Sequence, residues 1–238
     1  MRIVVITDSE FLPREAEALA ALLDAGAWRV HVRKPGSDVR SMMRLLEAFP
    51  ERYHRYISLH DHHELALDLG IGGVHLSSRN PLFPRGFTGQ VSRSCHSFEE
   101  LGRYAGQCDY MFLSPVFDSI SKQGYRSQFP LEEISRRSAG QSVAADSEEE
   151  LRCRRELSGG VIPRAADCTQ VDWTMVFALG GVCPDNVPLV RDAGFGGAAV
   201  LGYLWEQYRI NTDLDALVSR LRCLVPAEQA DVNGFKRI

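Results

Sequence analysis

Short apolar runs alternate with amphipathic segments along the whole chain. Eight runs have strand character, rich in β-branched and aromatic residues: Ile3 to Thr7, Trp28 to Val32, Tyr56 to Leu59, Gly73 to Leu76, Gln90 to Ser92, Tyr110 to Leu113, Met175 to Leu179 and Ala198 to Leu201. Helical spacing fills the gaps between them. Pro13 to Ala25 repeats apolar positions at Ala16, Leu19, Ala20 and Leu23, opens on a proline suited to a first turn and stops at Gly26. Glu64 to Leu69 stops at Gly70, and Asn186 to Ala193 stops at Gly194. Ser97 followed by Glu100 has capping-box spacing, and Leu214 to Leu224 forms a last amphipathic stretch. This βα alternation predicts an α/β fold closed as a (β/α)8 TIM barrel. An open doubly wound sheet is disfavoured, because no Gly-x-Gly-x-x-Gly opens a helix after the first strand.

One stretch breaks the rhythm. Residues 138–173 include the charged run Asp146 to Glu156, then Gly159-Gly160 and Pro163, too long for an ordinary connection and therefore expected as an insertion between strands six and seven. Residues 1–238 are expected to form a single barrel domain, with a polar tail over 225–238. Composition changes little: 45% apolar and 24% charged residues suit an ordinary globular protein. The net charge of -4, from 31 acidic and 27 basic residues, argues against a nucleic-acid partner and leaves room for a local anion site. The opening run Met1 to Asp8 is too short for a leader or membrane span, so a cytoplasmic protein with no membrane partner is expected. Six scattered cysteines without a Cys-x-x-Cys pair read as reduced structural thiols.

In such a barrel the C-terminal strand ends carry the chemistry. The second strand ends His31-Val32-Arg33-Lys34-Pro35, with His31 and Arg33 on one side and Lys34 just beyond. An arginine there grips a phosphate or carboxylate through two parallel hydrogen bonds. The third ends His60-Asp61-His62-His63, where sequential neighbours diverge and do not form a three-histidine site. Asp61 as a lone Mg²⁺ ligand, completed by substrate phosphates, and solvated histidines at the next helix start both remain open. His75 reads as a satisfied core histidine, whereas Ser94 at the fifth strand end can bond a phosphate.

The sixth strand runs into a loop with hydroxyls at Ser119 and Ser121 and then Lys122, an anion-binding strand end. Gly180-Gly181 follows the seventh strand and Leu201-Gly202 the eighth. Glycine after a buried strand lets backbone N–H groups approach a ligand closely.

Together these strand ends resemble the thiamine-phosphate synthase and thiazole tautomerase superfamily, over roughly residues 1–135 and 175–205. The resemblance implies a TIM barrel acting in thiamine biosynthesis. In the synthase branch a pyrimidine methyl diphosphate loses pyrophosphate and is captured by the nitrogen of a thiazole phosphate. Carried over by matching position, Arg33, Ser94 and Lys122 hold the diphosphate and Asp61 holds Mg²⁺. Ser119, Ser121, Gly180, Gly181, Leu201 and Gly202 receive the thiazole phosphate, and His31, Lys34 and His60 line the remaining substrate surface.

The chain also departs from that pattern. His31 stands for a glutamine, Pro35 for a lysine with Lys34 one position early, Asn80 for a second acidic metal ligand and His60 for an asparagine. Such losses leave open a thiazole tautomerase or a non-catalytic binder of phosphate ligands. Against the tautomerase, Pro115 stands where that branch carries its acid–base histidine. The partners expected are small phosphates, and self-association stays undecided.

Overall fold

The structure is a computed structural model describing residues 1–118, 127, 129–140 and 171–225. The charged stretch at 141–170, the tail from 226 and Ser119, Ser121 and Lys122 lie outside the described residues.

Eight parallel strands close into one barrel: β1 (Arg2–Ile6), β2 (Arg29–Val32), β3 (Ile57–Leu59), β4 (Gly73–Leu76), β5 (Gln90–Cys95), β6 (Tyr110–Leu113), β7 (Val176–Leu179) and β8 (Gly197–Val200). Closure comes from pairing of β1 with β8, which places Val4 beside Ala199. Side chains alternate between two cores, as strand geometry requires. The inward set includes Val4, Ile6, Tyr110, Phe112, Phe177 and Ala199. The outward set, with Val5, Val30, Leu59 and Val74 among it, packs under the helices.

The interior is graded from apolar to polar. Trp28 stacks on Phe177 at 5.2 Å and meets Tyr110 edge-on at 5.1 Å. The Arg2 guanidinium lies 5.0 Å from the Trp28 ring and 4.9 Å from Phe177. Towards the strand C-termini this aromatic layer gives way to histidines and serines.

Among the described residues the helices are α1 (Glu15–Asp24), α2 (Val39–Glu47), α3 (Leu65–Asp68), α4 (Phe98–Tyr104), α5 (Leu131–Ala139), α6 (Val187–Asp192), α7 (Gly202–Asn211) and α8 (Leu214–Arg222). Ser97 caps α4 by accepting from the Glu100 N–H at 3.2 Å, while the Glu100 carboxylate accepts from the His96 N–H at 2.6 Å. Apolar periodicity leaves α2, α5 and α7 unpredicted. For α2 the missed signal is Asp38, whose carboxylate accepts from the Ser41 N–H at 2.9 Å. β5 also runs three residues past Ser92, because the polar alternation of Ser92, Arg93 and Ser94 masks a strand whose small hydroxyls face the interior.

α7 begins directly after β8, so its N-terminus stands at the barrel mouth. It is fastened there by Trp205, fully buried, whose indole N–H donates to the Ile6 carbonyl at 2.7 Å. Arg209 pairs with the buried Asp8, and the Tyr208 hydroxyl donates to the Pro13 carbonyl at 3.0 Å.

Candidate active site at the strand C-termini

Arg33 follows β2 at the mouth, partly buried, and its backbone is tied to β1 by the Thr7 hydroxyl, which accepts from the Arg33 N–H at 2.9 Å. Its guanidinium has no hydrogen-bond partner among the described residues. Burial lowers its pKa, nearby Arg79 adds to the lowering, and Asp61 opposes it. A cation held half out of water beside a second cation favours an arriving anion.

Asp61 is partly buried, and its Oδ1 accepts from the Asn80 side-chain amide at 2.8 Å. The same Asn80 nitrogen donates to the His60 carbonyl at 2.8 Å. Both acceptors face that nitrogen, so Asn80 presents an N–H to Asp61 and steadies the carboxylate. It does not share an ion with Asp61 through those atoms.

Lys34 departs from its expected place. Its ammonium is fully buried and donates to Glu15 Oε1 at 2.6 Å, to the Glu10 carbonyl at 2.6 Å and to the Asp8 carbonyl at 3.0 Å. Three acceptors use all three donors, so this lysine ties the β1 and β2 ends to α1 and offers nothing to a ligand. Strand alternation, which sends Arg33 inward, sends the next residue outward.

His31, His60 and His75 converge inside the barrel. His31 Nδ1 lies 2.9 Å from His60 Nε2, and its Nε2 lies 2.6 Å from the Tyr110 hydroxyl. The His60 ring stacks on His75 at 4.1 Å. His75 is bonded through Nδ1 to the Ser92 hydroxyl and through Nε2 to the Ser94 hydroxyl, both at 2.8 Å. Burial pushes the His31 and His60 pKa values well below the usual histidine range and that of His75 down to about 3, with neighbouring histidines adding to the shift. All three are neutral at physiological pH.

The core role expected for His75 agrees with this placement, whereas sequence spacing missed the cluster altogether. Its members come from three strands, not from the adjacent His60, His62 and His63. His62 instead bonds the Ser37 carbonyl, and His63 the Leu82 carbonyl, each at 2.8 Å.

Across the mouth, Val116 N–H donates to the Leu179 carbonyl at 2.9 Å and Phe117 N–H to the Gly180 carbonyl at 3.2 Å, joining the loops after β6 and β7. Gly180 and Gly181 have φ of 100° and 64°, and a Cβ on Gly181 would collide with the Asp118 carbonyl and the Phe117 side chain. Replacing Gly181 by Ala is therefore expected to lower stability by about 1–3 kcal/mol, read from urea denaturation. Leu201 and Gly202 are partly buried at the start of α7, where unpaired N–H groups and the helix dipole favour an anion.

Sequence comparison decides the family. Residues 3–144, more than half of the chain, match the family described as Thiamine monophosphate synthase. The chain belongs to the thiamine monophosphate synthase family. Its similarity to a thiamine-phosphate synthase of Thermus thermophilus is 34% identity over 127 residues, 47% of this chain and 61% of that one. The chain thus spans less than two thirds of the length of the curated relative it matches. Among solved structures it is similar to the thiamine phosphate pyrophosphorylase of Bacteroides thetaiotaomicron, with 30% identity, 98% of this chain and 99% of that chain covered, and a TM-score of 0.72. The Pyrococcus furiosus thiamine phosphate pyrophosphorylase shares the fold, with a TM-score of 0.63 at 20% identity over 94% of this chain and 97% of that one. Within this thiamine monophosphate synthase family chain, no helix among the described residues is long and apolar enough to cross a membrane.

Proposed function

We propose that this chain is a thiamine-phosphate synthase-type transferase joining a pyrimidine methyl diphosphate to a thiazole phosphate with release of pyrophosphate. The observation carrying the proposal is the guanidinium of Arg33 beside Asp61 at the barrel mouth, without a hydrogen-bond partner among the described residues. The likeness to named thiamine-phosphate synthases supports it.

In this reading the bond between the pyrimidine methylene carbon and the diphosphate oxygen breaks, and the bonding pair leaves with the diphosphate. The thiazole nitrogen then supplies a lone pair to the methylene carbon. Arg33, assisted by the Ser94 hydroxyl and by Lys122, holds the leaving diphosphate and stabilises its growing charge. Ser119 and Ser121, with the Gly180-Gly181 turn and the Leu201-Gly202 helix start, hold the thiazole phosphate. His60, above His31, faces the pyrimidine.

A single carboxylate whose second oxygen has no partner among the described residues suits Mg²⁺, which keeps several waters and draws further ligands from substrate phosphates. Asp61 would hold that ion, steadied by Asn80, and the ion would neutralise diphosphate charge.

The deciding assay supplies the purified chain with both substrates, with and without Mg²⁺, and measures thiamine phosphate. Product that requires Mg²⁺ and falls at least about tenfold in Asp61→Asn is expected; no product under either condition would overturn the proposal.

A further inference from the structure

We infer that one ring nitrogen each of His31, His60 and His75 forms a binding site for a single divalent transition-metal ion of the zinc class, inside the barrel below the mouth. This goes beyond the transferase reading, which uses only the Asp61 carboxylate for a metal. Three observations carry it.

The first is convergence. Ligand nitrogens from β2, from the end of β3 and from β4 all lie within 4.8 Å of one another. Zinc bonds imidazole nitrogen at about 2.0–2.1 Å, so tetrahedral ligands sit roughly 3.3 Å apart. The His31–His60 pair, at 2.9 Å, needs only slight widening. The other pairs, at most 4.8 Å apart, need to close by no more than about 1.5 Å.

The second is protonation. His31 Nδ1 and His60 Nε2 face each other at hydrogen-bond distance, so one of the two presents a lone pair to the other, the form in which a nitrogen is available to a metal. The shared proton moves to the far nitrogen of its ring when an ion takes its place, which for His31 is Nε2 beside the Tyr110 hydroxyl.

The third is the outer shell. His31 Nε2 is held by the Tyr110 hydroxyl, which lies 3.2 Å from the Ser58 hydroxyl, itself accepting from Arg29 Nη1 at 3.2 Å. His75 Nδ1 is held by the fully buried Ser92. Partners of this kind on the far nitrogen fix ring tautomer and orientation at metal sites. They leave His31 Nδ1 as a ligating atom, and His75 Nε2 becomes one by giving up its 2.8 Å bond to the Ser94 hydroxyl. Three imidazoles suit zinc, copper or nickel ions over magnesium, and three protein ligands leave a fourth position facing the mouth for water or a ligand atom.

Tag-free protein stripped with a chelator and titrated with Zn²⁺, and separately with Co²⁺, tests the inference. One ion per chain is expected, with the intense visible absorption of four- or five-coordinate Co²⁺. Affinity should fall by more than the roughly 10- to 100-fold that loss of an outer partner costs in His31→Gln and in His60→Asn, polar replacements of similar reach, while Asp61→Asn leaves it unchanged. Thermal melts establish that each variant is folded; should one not be, the stoichiometry and Co²⁺ spectrum of the unaltered chain decide alone. No stoichiometric ion, only the weak spectrum of octahedral surface cobalt, or unchanged affinity in both folded histidine variants would overturn the site. Thiamine phosphate formation is not the readout, so this result and that of the transferase assay stand apart.

Discussion

Arg33→Met is expected to lower thiamine phosphate formation at saturating substrate by about 100-fold or more, while the chain stays folded. Methionine preserves the apolar stem and removes the fork of donors. The magnitude follows from losing one preorganised charged donor aimed at developing charge, which costs about 3 kcal/mol in comparable sites. Two features place Arg33 near that upper level. Its guanidinium spends nothing on neighbours among the described residues, and its partial burial keeps water from screening the anion. In the proposed reaction charge on the diphosphate grows as the carbon–oxygen bond breaks, so kcat should fall more than KM rises. Arg33→Lys restores a point charge without the bidentate fork and should recover only part of the rate. Steady-state kinetics on both variants check this; Arg33→Met within threefold of the unaltered chain would remove Arg33 from the diphosphate site.

Lys34→Met is expected to destabilise the fold by about 3–5 kcal/mol, the usual cost of leaving one partner of a buried ion pair alone. Glu15 sits 3% exposed, and removing the ammonium leaves its carboxylate without its closest counter-charge. The pH dependence has a definite sign. Burial already raises the Glu15 pKa, and Lys34 opposes that rise, so the variant raises it further. A carboxyl whose folded pKa exceeds its unfolded value contributes least penalty below the unfolded pKa, about 4.3, and loses stability as pH climbs through the folded pKa. The deficit of Lys34→Met should therefore be largest near pH 8 and shrink towards pH 5. The double variant Lys34→Met with Glu15→Met should recover most of the loss, since an apolar pair of similar volume replaces the ion pair. Urea denaturation at the two pH values measures all three chains. A deficit independent of pH would show that packing, not the stranded carboxylate, sets the cost.

Lys34 and Arg33 also show where sequence reasoning stops. Adjacent residues at one strand end look equally suited to an anion by composition. Period-two alternation separates them, but which of the two turns inward depends on how the strand is seated in the barrel. The same holds for the histidines. His31, His60 and His75 belong to three strands whose side chains meet only after the barrel closes with its stagger, pairing His31 with Ser58 and His75 with Ser92. Spacing along the chain instead drew attention to His60, His62 and His63, which diverge.

By itself the sequence determined the barrel. Eight apolar runs separated by helical segments with caps and glycine stops are local patterns, and local patterns specify element type and order. The residue types at the strand ends likewise carried the family resemblance. Only the tertiary structure decided which of those residues meet a ligand, because strand register, stagger and neighbouring charge are long-range quantities. They left the Arg33 guanidinium without a hydrogen-bond partner among the described residues, saturated Lys34 with three oxygens, turned the Asn80 amide nitrogen to Asp61 and gathered three neutral imidazoles beneath the mouth.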